Sequence, residues 1–279
     1  MIAALRRLRT AAGGVTASEW LLVAVETFFV VVGVFIAFEL GQWAEDRKDK
    51  AQVERLLERL LNDARSAVNE IEGHHDFSVT MLARARPIAT EFSAGRCPED
   101  IGDPGALATR LSGMNPPMSA YTELVNTIGL SALPDEATKQ AVVSYAYQVN
   151  FLNAAFAELR EQSGPLLSPR DPRVSFPMTD RPVDRYRTTW QAGPEEPVAT
   201  YDRDALCADP AFRQAYTYAV KELELATLLR ADTLAILAST CERIGAHVGE
   251  LCMTKTMKAR MGRERTQGLM DLVTRYRNR

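Results

Sequence analysis

The sequence predicts an all-α protein, in which one N-terminal transmembrane helix continues into a long helical hairpin with shorter flanking helices. Three patterns support this fold class: an apolar run at residues 20–43, a heptad-spaced seam at residues 53–71 and an apolar stripe at residues 212–248. Helix-forming residues dominate the chain, and alternating β-branched residues are scarce outside the apolar run. Both features favour helices over strands.

A transmembrane anchor is predicted at residues 20–43, after a short basic N-terminus at residues 1–19. At a rise of about 1.5 Å per residue the anchor is roughly 35 Å long, enough to cross an apolar bilayer core about 30 Å thick. Trp20 and Trp43 bracket the run and suit the two headgroup regions. A cleavable signal peptide is disfavoured, because its apolar core spans only about 7–15 residues and no Ala-x-Ala site follows here.

The orientation of the anchor depends on the Lys and Arg residues beside it. The two flanks nearly balance, with Arg6, Arg7 and Arg9 before the anchor and Arg47, Lys48 and Lys50 after it. Because a short N-terminus normally stays in the cytoplasm, we expect residues 44–279 to lie outside it. The formal net charge of −3 argues against a dedicated nucleic-acid-binding protein.

Residues 44–163 are predicted to form the first part of a helical domain. Its first helix carries a seam with alternating spacings of four and three residues: Val53, Leu57, Leu60, Ala64, Ala67 and Ile71. Such a seam packs against another helix, from this chain or from a partner. Gly73 and Pro87 are expected to interrupt the helix. Further helices are expected at residues 121–128, with Gly129 as C-cap, and from residue 136 to about residue 162.

Residues 164–207 are predicted to form a proline-rich irregular insert. Seven prolines fall within it and exclude a long helix. It also carries aromatic residues, which a disordered tract tends to lack: Phe176, Tyr186, Trp190 and Tyr201. We expect these to be packing anchors that partly order the insert, with a ligand pocket as the alternative.

A long return helix is predicted at residues 208–254, followed by a basic C-terminal tail at residues 255–279. Asp209 and Pro210 supply an N-cap and a first-turn residue. The stripe at residues 212–248 is the only one in the chain comparable in length with the seam, so the two are expected to pack antiparallel. That direction places Ile244 and Val248 near Val53 and Leu57, and residue 212 toward residues 81–92.

Four cysteines allow three disulfide pairings. The predicted hairpin puts Cys97 and Cys207 in loops at the same end, so these two form a candidate disulfide. Cys241 and Cys252 are too far apart in a continuous helix, because a disulfide needs Cα atoms within about 7 Å. They can pair only if the return helix breaks at Gly245 or Gly249.

A polar residue inside the anchor marks a candidate helix-association face. Glu26 shares helical spacing with Gly33, Ala37 and Gly41. Small residues permit close helix contact, and a carboxyl group at the edge can hydrogen-bond across the interface. Two alternatives stay open: a proton-carrying carboxylate in an ion-coupled complex, and a Glu that is protonated or reaches toward the headgroups.

Metal binding and catalysis have little support in the sequence. His74 and His75 are adjacent, and adjacent helical residues point about 100° apart, so they do not face one ion without a break in the helix. His247, the third histidine, is expected far from them along the hairpin. Because catalytic triads, phosphate-binding loops and dinucleotide fingerprints are all missing from the sequence, we expect no enzyme activity and no cofactor.

Two motifs resemble a family of uncharacterised bacterial inner-membrane proteins, a domain of unknown function. The first motif is an apolar anchor that leads into a long helix, and it contains Glu26, Gly33, Ala37, Trp43, Arg47 and Lys48. The second contains Tyr121, Glu123, Leu124, Gly129, Tyr145 and Tyr147. The resemblance covers roughly residues 20–160. It implies a single-pass bacterial inner-membrane protein with a helical extramembrane domain and no assigned activity. With the expected orientation, residues 44–279 would lie in the periplasm.

The function expected from these patterns is that of a membrane-tethered, non-enzymatic scaffold or assembly subunit. Its expected partners are the lipid bilayer and either itself or another membrane protein. Two alternatives remain: an extracytoplasmic sensor module that binds a small ligand, and an accessory subunit of an ion-coupled membrane complex that uses Glu26.

Overall fold

A computed structural model describes residues 17–108, 110–111, 113–163, 166–168, 170–175 and 199–277, without the side chains of residues 17–20, 22–24 and 46. The helices are α1 (Ala17–Ser93), α2 (Pro104–Ala108), α3 (Ser119–Thr127), α4 (Glu136–Gln162), α5 (Arg203–Ala208), α6 (Pro210–Val248) and α7 (Lys255–Arg277). A 3₁₀ turn covers Leu130–Ala132, and the short strands β1 (Val174–Ser175) and β2 (Thr200–Tyr201) pair antiparallel. The predicted all-α fold class is confirmed. Phe176, Tyr186 and Trp190 lie outside the described residues.

The chain divides into two compact units, Met1–Arg55 and Leu56–Arg279. The described part of the first unit is the N-terminal portion of α1. Its large apolar side chains are exposed, with Phe28, Phe35 and Phe38 each at least 60% accessible. Helix α1 contains an 18-residue window of mean hydropathy 1.7, and none of that window is buried. Among the described residues, α1 is the one helix long and apolar enough to cross a membrane.

Helix α6 is the centre of the second unit. It packs against α2, α4, α5 and α7, and its buried side chains also share a core with residues 81–92 of α1. The helix starts where the sequence predicts, because the Asp209 side chain accepts a hydrogen bond from the Ala211 amide and Pro210 occupies the first turn. Helix α4 starts in the same way, with the Asp135 side chain accepting from the Thr138 amide.

The second part of α1 and helix α6 form an antiparallel hairpin, as the two apolar stripes predict. Contacts that advance along α1 move backward along α6: Ser78 with Arg230, Arg86 with Glu224, and Phe92 with Phe212. Arg65, nearer the start of α1, pairs with Glu250 just beyond the end of α6. Within the second unit, the seam residues Leu57, Leu60, Ala64, Ala67 and Ile71 are all 0% exposed. The seam therefore lies in the core of its own chain.

Helix α1 continues through Gly73 and Pro87, so the expected interruption at these residues is wrong. A proline inside a helix removes one backbone hydrogen bond and costs about 3 kcal/mol. Here Ala85, Ala89 and Phe92 pack on α6 around the proline. Burial of that face offsets the cost of the proline. Helix propensity alone does not predict this compensation.

Most of the segment predicted as a basic C-terminal tail forms helix α7. Met257, Met261, Leu269 and Val273 are all buried, and each pair is spaced one helical turn apart. The helix bends at Gly262, whose φ of 78° belongs to the left-handed region that favours glycine. The sequence did not predict this helix, because the two short apolar pairs stand among many Lys and Arg residues and form no continuous apolar stripe.

The end of α6 is shaped by two glycines. Gly249 caps the helix in the left-handed conformation with φ 81°. The chain then folds back so closely that a Cβ on Gly245 would lie 2.5 Å from the carbonyl oxygen of Glu250. This reversal brings Cys241 and Cys252 together as a disulfide with a Cα–Cα distance of 5.3 Å.

Candidate association face and ligand-binding cleft

The candidate association face lies open along the anchor. Glu26, Gly33, Ala37 and Gly41 are all exposed. A Cβ built on Gly33 or Gly41 would meet nothing within 4 Å, so this side of the helix has room for a second backbone. Ala37 and Gly41 also line a shallow groove together with Phe38 and Glu45.

All four cysteines are paired. The Cys97–Cys207 disulfide expected from the sequence is present, with a Cα–Cα distance of 5.5 Å, and it joins residues 110 positions apart. It fastens the loop after α1 to α5. The Cys241–Cys252 disulfide closes the turn after α6. Arg65 holds that turn against α1, because its guanidinium donates to the carbonyl oxygens of Leu251 and Cys252.

A layer of buried polar side chains crosses the helical unit. Arg110 and Glu222 form an ion pair with only 5% and 6% of their side chains exposed, and the Ser163 hydroxyl also contacts Glu222. Arg230 is 1% exposed. It donates to the Ser78 hydroxyl and to the Arg110 carbonyl. These contacts connect α1 and α6 with Arg110, which follows α2, and with Ser163, which follows α4.

Arg230 forms no ion pair within the described part of the chain, and its Nε has no hydrogen-bond partner there. Its guanidinium lies 4.6 Å from the ring centroid of Phe156, a cation–π contact. Burial lowers the pKa of Arg230 to about 10, so the side chain stays charged at neutral pH. The layer therefore carries one more buried positive charge than it has negative partners.

The three histidines lie in two places. Burial lowers the pKa of His74 and of His75 below the ordinary value, and the nearby Arg230 charge lowers both further. His247 lies elsewhere, with its Nδ1 3.9 Å from a carboxylate oxygen of Asp135. Among the residues that the structure describes, no three His, Cys, Asp or Glu side chains form a group that could hold a metal ion.

A cleft of about 860 Å³ lies between residues 77–91 of α1 and residues 98–107, with Tyr216 of α6 also in its lining. Its volume falls in the range of about 300–1,000 Å³ that is usual for small-molecule sites. Met81, Ala85 and Leu107 provide buried apolar walls. The cleft thus has the size and the apolar lining of a ligand site.

The loop wall of the cleft is held in place by several independent contacts. The Cys97–Cys207 disulfide fixes its start, and the Arg203 Nε donates to the Pro98 carbonyl at 2.9 Å. The Tyr201 hydroxyl donates to Asp103 at 2.8 Å. Of the four aromatics singled out in the insert, Tyr201 is thus a packing anchor at the edge of this cleft.

Two carboxyl groups at the cleft, those of Asp100 and Asp103, have no cationic partner among the described residues. Asp100 accepts from the Gly102 amide, and Asp103 accepts from the amides of residues 105 and 106 and from Tyr201. Neither forms an ion pair within the described ranges. The third acid in the lining, Glu91, forms a bidentate ion pair with Arg96.

Tyr216 is a buried residue whose hydroxyl forms no hydrogen bond with another described residue. The residue is 1% exposed and lines the cleft. Its hydroxyl oxygen lies 3.9 Å from the position that a Cβ on Gly102 would take. The hydroxyl has no hydrogen-bond partner in the described portion of the protein. Burial and the Asp100 and Asp103 charges raise the pKa of Tyr216 above its ordinary value, so the phenol remains protonated.

Sequence reasoning did not identify this cleft. Tyr216 fits the apolar face of α6, and at the sequence level it is indistinguishable from other core residues. Asp100 and Asp103 occur in a loop whose Gly and Pro residues signal only a turn.

No protein-family model, curated protein or solved structure matches the chain.

Proposed function

We propose that this chain is a single-pass inner-membrane protein that acts as a non-enzymatic assembly subunit. It associates with itself or with another membrane protein through the face formed by Glu26, Gly33, Ala37 and Gly41. The observation that carries this proposal is the open small-residue side of an exposed apolar helix, with a carboxyl group at its edge. In a bilayer, where apolar burial does not drive association, close backbone packing and hydrogen bonds take its place.

The association proposal makes a mutational prediction. Replacing Gly33 and Ala37 together by Leu should weaken the oligomer about tenfold or more, because the added side chains hold the two backbones apart. The measurement is the dissociation constant of the full chain in mild detergent, obtained by sedimentation. Val31→Leu together with Phe35→Leu on the opposite side of the helix is the matched control and should leave the constant unchanged.

Substitutions of Glu26 distinguish an association role from a role in proton transport. Glu26→Gln keeps a hydrogen-bonding group and should retain the oligomer, whereas Glu26→Leu should weaken it. If the wild-type chain is strictly monomeric and co-purifies with no membrane protein, the association proposal fails. If Glu26→Gln abolishes an ion-dependent activity of the intact complex while the oligomer persists, the ion-coupled role replaces it.

The domain after the anchor is proposed to lie in the periplasm. Two disulfides in Leu56–Arg279 support this, because structural disulfides persist in oxidising compartments. Alkaline phosphatase fused after Arg279 should be active in bacterial cells, and green fluorescent protein at the same position should be dark. A bright fluorescent fusion would place the domain in the cytoplasm instead.

A second candidate function, small-ligand sensing, is favoured by one observation. The cleft beside Tyr216 is large, partly apolar and held in shape by a disulfide. A scaffold helix needs no such feature. Saturable binding of a small molecule to the full chain in detergent, lost when Gly102 is replaced by a bulkier residue that fills the cleft, tests this function. Gly102 has φ 65°, and a Cβ there would lie 3.1 Å from Ile88.

A further inference from the structure

We propose that the cleft beside Tyr216 binds a protonated primary amine that carries an apolar body. This inference rests on the second proposed function, ligand binding in the cleft, and names its ligand class. Two features define that class: the charge at the mouth of the cleft and the unused hydrogen-bonding group in its wall.

The charge at the mouth selects for a cation. Asp100 and Asp103 are exposed carboxylates that no Lys or Arg of the described chain neutralises. Arg84, the basic residue in the lining, is exposed and forms no ion pair with either of them. A cationic group at this position gains charge-assisted hydrogen bonds, whereas an anion meets two like charges.

The wall selects for a hydrogen-bond donor. Tyr216 lines the cleft, and its hydroxyl forms no hydrogen bond with another described residue, so its oxygen is available as an acceptor in the wall. A primary ammonium group can donate to Tyr216 and to a carboxylate at the same time. A quaternary ammonium group has no N–H, so it would leave the Tyr216 hydroxyl unpaired.

The apolar walls accept the body of the ligand. Met81, Ala85 and Leu107 are each at most 8% exposed and face the cleft from both sides. Phe77, also in the lining, is 50% exposed, so a bound ligand would cover apolar surface that otherwise contacts water. A small hydrophilic amine or an inorganic cation would leave this surface uncovered.

The test uses the full chain in nanodiscs and four probes that share one apolar body: 2-phenylethylamine, 2-phenylethanol, trimethyl(2-phenylethyl)ammonium and 3-phenylpropanoate. Isothermal titration against empty nanodiscs gives each affinity. The primary amine should bind at least about fivefold more tightly than the alcohol and the quaternary ion, with the carboxylate weakest. Raising the salt concentration should weaken binding of the amine and leave binding of the alcohol unchanged.

Two variants locate the site. Asp100→Asn should weaken binding of the amine about fivefold and leave binding of the uncharged alcohol unchanged, because it removes the charge at the mouth and preserves the apolar walls. Tyr216→Phe should weaken binding of the amine by a similar factor, because it removes the acceptor in the wall. Asp232→Asn is the matched control, since Asp232 is exposed and does not line the cleft. Thermal unfolding in the absence of a probe checks that every variant is folded.

The outcomes separate the ligand class from the binding function. If the alcohol or the carboxylate binds most tightly and Asp100→Asn has no effect, the amine assignment is wrong and ligand binding survives. If none of the probes binds at millimolar concentration, both the assignment and the sensing function fail. If the amine binds equally to wild type and both variants, its site lies elsewhere and the assignment to this cleft is overturned.

Discussion

Replacing Leu60 by Asp is expected to unfold the helical unit Leu56–Arg279. Leu60 is 0% exposed and lies in the seam of α1 that packs inside the unit. A carboxylate placed there has no cationic partner, and an unpaired buried charge costs several kcal/mol. That cost is a large part of the roughly 5–15 kcal/mol that stabilises a typical domain. Limited proteolysis and near-ultraviolet circular dichroism measure the loss, because the anchor helix remains helical in both states.

Glu58 supplies the control for this change. It is two residues away on the same helix and exposed, so Glu58→Asp should alter stability by no more than about 0.5 kcal/mol. A folded, protease-resistant Leu60→Asp variant would mean that the seam does not lie in the core.

The second large effect is expected at the buried pair Arg110–Glu222. Glu222→Leu leaves Arg110 without its counter-charge, close to Arg230, which forms no ion pair with any described residue. Breaking a buried ion pair from one side costs about 3–5 kcal/mol. Removing both partners, in the double variant Glu222→Leu with Arg110→Leu, should recover much of that loss because no uncompensated charge from the pair remains.

A double-mutant cycle in urea measures this coupling. Glu224→Gln is the surface control, since this residue pairs with the largely exposed Arg86 and Lys221, and such pairs contribute at most about 1 kcal/mol. If the double variant is no more stable than Glu222→Leu alone, the pair is not the source of the penalty.

The elements that the sequence predicts well are those with local causes. Asp135 and Asp209 each satisfy a free amide at a helix start, and this needs only the next few residues. The antiparallel hairpin was predictable because the seam and the stripe of α6 were the only apolar faces of matching length. The Cys97–Cys207 disulfide follows from the same topology.

The elements that the sequence did not predict depend on packing over long separations. Helix α1 continues through Pro87 because the residues around it are buried on α6. Helix α7 forms because two short apolar pairs become buried in the helical unit. The Cys241–Cys252 disulfide required the reversal that Gly245 and Gly249 permit.

The sequence by itself determined the class of this protein: a single apolar helix of membrane-spanning length, joined to an all-α unit whose long helices pair through complementary apolar faces. Periodicity carries that information because it is local and repeats along the chain. Only the tertiary structure decided that Tyr216 lies beside Asp100 and Asp103, and that Arg110 meets Glu222. The members of each pair are more than 100 positions apart in sequence. They come together only when the hairpin folds and the Cys97–Cys207 disulfide holds the loop against it.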